Sequence, residues 1–127
     1  MSQQRMIAVV DDDPRLLESL EDLLESAGYR ACCFPSAGSL LENGLADVDA
    51  LITDIGLPGI DGFELRDLVH QIRPGLPVFL ITGRHEIADQ GRVQDCGFFR
   101  KPFNGPDLLK AVEDALRGRK GEGDHEP

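Results

Sequence analysis

The sequence predicts a single α/β domain with a doubly wound, five-stranded parallel sheet of order 2-1-3-4-5. Three observations point there. Short apolar runs alternate with amphipathic stretches along the whole chain. The runs are continuously hydrophobic, which suits strands covered on both faces. Strand–helix alternation calls for right-handed crossovers and hence parallel neighbours. The 127 residues suit one domain with one core, and no internal repeat or second domain is visible.

The first strand is Met6, Ile7, Ala8, Val9 and Val10. In the helix that follows, Leu17, Leu20, Leu24 and Ala27 form one stripe, with Asp13 as cap, Pro14 at its first position and Gly28 as its stop. Ala31 to Phe34 is the second strand, and 36–43 a short helix ended by Gly44. Ala50, Leu51, Ile52 and Thr53 form the third strand. Asp61 with Glu64 resembles a capping box, and the helix it opens carries a stripe of Leu65, Leu68, Val69 and Ile72. Pro74 and Pro77 close it.

Val78 to Ile81 is the fourth strand. Residues 86–95 contain Gly91 and few apolar side chains, so a short or irregular fourth helix is expected. Phe98 and Phe99 mark the fifth strand. Asn104 with Asp107 starts the last helix, with Leu108, Leu109, Val112 and Leu116 on one face. The domain is therefore placed at 1–117. Residues 118–127 (GRKGEGDHEP) lack apolar side chains and read as a disordered polar tail or the start of a linker.

The formal net charge is -10, which argues against a nucleic-acid or anionic-membrane surface, since both need clustered Lys and Arg. No apolar run approaches the roughly 18 residues a membrane span needs. Residues 1–6 lack the pattern of a signal peptide, and a cytoplasmic location is expected. The cysteines, Cys32, Cys33 and Cys96, are odd in number with two adjacent, a poor disulfide framework. Without nearby His they also make a poor zinc site, and buried thiols in a reducing compartment are expected.

The chemistry gathers at the strand ends. Asp11, Asp12 and Asp13 follow the first strand, Asp54 the third, Thr82 and Gly83 the fourth, Lys101 and Pro102 the fifth. A parallel sheet brings all of these to one rim. Taken singly, each has a bland reading as a cap, a turn or a solvated surface residue, and Asp13 fits a cap well. Taken together they do not, because packed carboxylates repel and must be neutralised or take up protons. A hard divalent cation such as Mg2+ meets that need. A Lys and a Thr hydroxyl opposite the acids suit a tetrahedral anion such as phosphate.

Four stretches carry a resemblance: Val9-Val10-Asp11-Asp12-Asp13-Pro14, Thr53-Asp54-Ile55-Gly56-Leu57-Pro58-Gly59-Ile60-Asp61-Gly62, Ile81-Thr82-Gly83 and Lys101-Pro102-Phe103. Over residues 6–116 the chain resembles the receiver (CheY-like) domain of bacterial two-component response regulators. The Ile-Thr-Gly and Lys-Pro-Phe forms resemble the branch that often precedes a helix-turn-helix output domain. The resemblance implies a flavodoxin/CheY-like fold and a phosphoacceptor switch rather than an enzyme, one that catalyses its own phosphorylation and dephosphorylation.

The same resemblance implies roles by position. Asp54 is the phosphoacceptor. Asp12 binds Mg2+ directly, Asp11 acts mainly through water, and Asp54 and the backbone carbonyl of Gly56 complete the metal site. Thr82 and Lys101 meet the phosphoryl oxygens, and Phe98 is the switch aromatic that follows Thr82. The implied partners are a histidine kinase or phosphotransfer protein and a downstream target or a lost output domain. Dimerisation on phosphorylation is allowed, and direct nucleic-acid contact is not implied.

The chain departs from the family pattern in a shorter stretch between Thr82 and Lys101, where Gly97 passes directly to Phe98. That puts in doubt the face made by the fourth helix, the fifth strand and the last helix, and leaves Phe99 open as simple core. Other readings remain open from sequence. A phosphatase of the haloacid-dehalogenase type needs a second Asp where Gly56 stands. A phosphorylation-independent module would be expected to lack an active-site residue. A flavin carrier needs a Ser/Thr-rich loop where Asp11 to Asp13 stand. Whether the chain is a natural single-domain regulator or a fragment is also open.

Overall fold

A computed structural model describes residues 4–82, 97–100 and 105–124; for Thr82, 97–100 and 118–124 the description is of the backbone alone. The elements are β1 (Met6–Val10), α1 (Pro14–Ser26), β2 (Arg30–Phe34), α2 (Ala37–Asn43), β3 (Ala50–Asp54), α3 (Gly62–Ile72), β4 (Val78–Thr82), β5 (Gly97–Arg100) and α4 (Gly105–Asp124). All strand pairings are parallel, and the order is β2-β1-β3-β4-β5. The order across the first four strands is the one the sequence predicts. The expected fourth helix at 86–95 lies outside the described residues, as do Cys96 and Lys101.

Strand alternation divides the interior in two. Ala8, Val10, Leu51, Val78 and Leu80 point to one face, where Ala37 and Leu40 of α2 and Leu65 and Val69 of α3 cover them. Ile7, Val9, Ala50, Ile52, Phe79 and Ile81 point to the other, under Leu20 and Leu24 of α1 and Leu108, Val112 and Leu116 of α4. Strands buried on both faces need apolar residues at every position, which is why their sequences do not alternate.

The helix starts follow the sequence closely. Asp13 caps α1, accepting from the Arg15 N–H at 3.0 Å, and Pro14 opens the helix. Asp61 and Glu64 form a reciprocal capping box on α3. Two stripes end earlier than expected. Ala27 is the exposed C-cap of α1 and lies outside its buried face. Ile72 is 60% exposed, because the chain turns at Arg73 and the next core position is taken by Leu76. Arg73 holds that turn by donating through Nη1 to the carbonyls of Leu45 and Val48.

The backbone of α4 continues to Asp124, through residues where the sequence suggests a polar tail. Among the described residues no helix is long and apolar enough to cross a membrane.

Cys32 and Cys33 are half-buried free thiols on opposite faces of β2. Cys33 faces α1, and its Sγ lies 3.6 Å from the Leu17 carbonyl, to which it donates. Burial, then the negative charges of Glu21, Cys32 and Glu25, pushes this thiol from 9.0 up to about 11. The fold thus favours the neutral thiol. That contribution is intact below pH 9 and is lost as pH rises toward about 11. Urea midpoints should therefore fall more steeply between pH 8.5 and 11 for the native chain than for Cys33→Ala; equal slopes would contradict it.

Candidate functional site

The site begins with register. Ile7 pairs with Ala50, Val9 with Ile52 and Val10 with Thr53. One further step sets Asp11 beside Asp54. Both strands lie inside the sheet, so both carboxylates are nearly enclosed: Asp11 is 1% and Asp54 7% exposed. Asp12 points into solvent. One carboxylate oxygen from each of Asp11, Asp12 and Asp54 lies within 4.8 Å of the others.

The turn after β1 is shaped around Asp11. Its own N–H donates to the Phe34 carbonyl at 3.2 Å, tying the strand end to β2. Its Oδ1 accepts the Asp13 N–H at 2.8 Å. Asp13 thus does two things: its side chain caps α1 and its amide orients Asp11. The start of α1 also directs the positive end of a helix dipole toward this rim.

The loop after β3 is equally determined. The Ile55 N–H donates to the Ile81 carbonyl at 2.9 Å, and the Ile55 carbonyl accepts from the N–H groups of Leu57 and Gly62, each at 2.9 Å. Ile55 and Leu57 are buried, which leaves Gly56 between them exposed at the rim. Gly59 takes φ +77°, a left-handed turn conformation suited to glycine. The start of α3 then presses against the strand end: a Cβ on Gly62 would lie 2.5 Å from the Asp54 carbonyl oxygen and 2.6 Å from the Ile55 Cα. Only glycine fits there.

The other expected site residues are placed unevenly. Ile81 pairs with Asp54, so Thr82 ends β4 at the same rim, in register with Arg100 of β5. Phe98 lies in β5 opposite Leu80. The side chains of Thr82 and Phe98 are not described, and Lys101 lies outside the described residues. Sequence reasoning passed over Thr53, whose buried hydroxyl donates to the Asp54 carbonyl at 3.1 Å. The available signal was a hydroxyl at the end of an otherwise apolar run, immediately before the acid.

Two buried carboxylates and a third at the edge are unstable without compensating charge or hydrogen bonds. The three donors are all hard oxygens, close enough to serve one ion, a set that fits Mg2+ better than a softer metal.

Comparison with known proteins agrees with this geometry. Residues 7–113 match the family model described as the response regulator receiver domain. The response regulator protein TmoT of Ectopseudomonas mendocina is 34% identical over 119 residues, covering 91% of this chain and 54% of that protein. The C4-dicarboxylate transport transcriptional regulatory protein DctD of Pseudomonas aeruginosa is 35% identical over 123 residues, 92% of this chain but 26% of that protein. The chain thus spans about half of the first relative's length and a quarter of the second's. Among solved structures, a CheY-like receiver domain protein from Methanospirillum hungatei superposes with TM-score 0.83 at 29% identity, covering 94% of this chain and 99% of that one. Full-length FixJ from B. japonicum superposes with TM-score 0.81 at 28% identity, covering 96% of this chain and 64% of that one.

Because the Gly62 contact is with backbone, nothing flexible can yield. Gly62→Ala should destabilise the domain by about 2–3 kcal/mol in urea unfolding; a loss below about 0.5 kcal/mol would mean that α3 does not press on the strand end.

Proposed function

The chain belongs to the response regulator receiver domain family of two-component signalling, and from that premise we propose that Asp54 is its phosphoacceptor. The observation that carries the reading is the meeting of Asp11, Asp12 and Asp54 at the carboxyl ends of β1 and β3. Crevices at such strand ends are the usual ligand sites of doubly wound sheets.

In this reading a carboxylate oxygen of Asp54 attacks the phosphorus of a phosphohistidine on a histidine kinase or phosphotransfer protein. The phosphorus–oxygen bond forms, the phosphorus–nitrogen bond breaks, and the imidazole leaves with a proton from solvent. The chain contributes chiefly position and charge. Asp12 and Asp54 would hold the metal directly, Asp11 would act mainly through water, and the Gly56 carbonyl would complete the protein donors. The exposure of Asp12 and Gly56 and the engagement of Asp11 Oδ1 by the Asp13 amide support this division. When bound, Mg2+ offsets the carboxylate charge and stabilises charge on the phosphoryl oxygens.

Thr82 donates to one phosphoryl oxygen, and Lys101 pairs with another. Thr82 moving toward the new charge lets Phe98 of β5 turn inward, shifting the population of two conformations of the β4–β5 face. A shortened fourth helix belongs to this reading. The switch acts in the cytoplasm on a partner or an output domain, and dimerisation is one route by which phosphorylation is passed on. The domain itself makes no nucleic-acid contact, in keeping with its charge of -10. It catalyses its own phosphorylation and dephosphorylation. Gly56 offers no side chain to hydrogen-bond the water that attacks the acyl phosphate.

Incubation with phosphoramidate and Mg2+ should add one hydroxylamine-sensitive phosphoryl group, seen by intact mass. Asp54→Ala should abolish it; label that survives this change removes the assignment. In a Mg2+ titration Asp12→Ala should weaken binding more than Asp11→Ala, and equal losses would overturn the direct-ligand role of Asp12.

A further inference from the structure

Thr53 precedes the acceptor and has no place in the acidic cluster. It is fully buried, on a strand whose other interior positions are aliphatic. Strand alternation sends its side chain and that of Asp54 to opposite faces, so the two meet only through the backbone. That meeting is specific: the Thr53 hydroxyl donates to the Asp54 carbonyl at 3.1 Å. Gly62 packs against the same carbonyl oxygen. At the other end of that peptide, the Ile55 N–H donates to the Ile81 carbonyl at 2.9 Å. The peptide plane leaving the acceptor is therefore held at both ends.

We infer that Thr53 is a positioning residue for phosphoryl transfer. By anchoring the Asp54 carbonyl it sets the backbone angle at the acceptor and so the line along which the carboxylate meets an incoming phosphorus. In-line transfer is sensitive to small displacements of the attacking oxygen. The inference rests on Asp54 being the acceptor, and it adds a hydroxyl on the far side of the sheet to what that acceptor requires.

The test compares the native chain with Thr53→Val, which keeps the shape and strand preference without the donor, and Thr53→Ser, which keeps the donor. With phosphoramidate and Mg2+, the rate of mass gain should fall about tenfold in Thr53→Val and stay within about twofold in Thr53→Ser. A second measurement needs neither metal nor phosphoryl group. In metal-free protein, amide exchange at Ile55 should quicken in Thr53→Val and not in Thr53→Ser, with Val9 and Leu51 unchanged.

Native rates and native Ile55 protection in Thr53→Val would overturn the inference. So would equal slowing in both variants, or faster exchange throughout the sheet, which marks lost packing rather than lost positioning. If the native chain takes no label, or Asp54→Ala still takes it, the acceptor assignment fails instead, and Ile55 exchange still decides whether Thr53 holds the peptide.

Discussion

Like charges held close together in a nearly dry place are the constraint around which this domain is arranged. Asp11 and Asp54 sit at the ends of two adjacent interior strands, 1% and 7% exposed. Their mutual repulsion and lost hydration oppose the fold. The parallel register nonetheless leaves them no alternative, since Val10 opposite Thr53 puts the next residues side by side. Charge and hydrogen bonding from outside the pair must compensate. The Asp13 amide on Asp11, the N-terminal dipoles of α1 and α3, and the affinity of an all-oxygen cluster for a hard cation all act in that direction.

Such a strained pair stays in place only on a rigid support. Two separate apolar layers supply it, one under α2 and α3 and the other under α1 and α4. They grip β1 and β3 from both sides. The loops that carry the acids are tied down by backbone bonds to neighbouring strands, at Asp11 to Phe34 and at Ile55 to Ile81. Gly62 closes the remaining gap by bringing α3 against the Asp54 carbonyl. The core and these backbone bonds thus hold the strand ends that carry the acids.

Much of this was legible beforehand, and each miss has its own physical reason. The first four continuous apolar runs, Asp13-Pro14 and Asp61 with Glu64 announce strands and helix starts through local chemistry, and they appear where the pattern puts them. The ends of helix faces were harder. Ile72 continues the α3 period yet is exposed, because Arg73 reaches back to the Leu45–Val48 loop and Leu76 takes the core position. Thr53 passed for a strand residue because its hydroxyl acts through a carbonyl, not through exposure.

By itself the sequence determined which residues lie at strand ends, since apolar runs and caps depend on neighbours a few positions away. The acids of the candidate site, and the family they signal, follow from that local pattern. Tertiary structure alone decided how near those acids come, which are buried, and what holds them. Those facts depend on the register between β1 and β3, which joins residues far apart in the chain and which no local spacing encodes, and on the seating of Gly62 against the Asp54 carbonyl once α3 packs on the strand end.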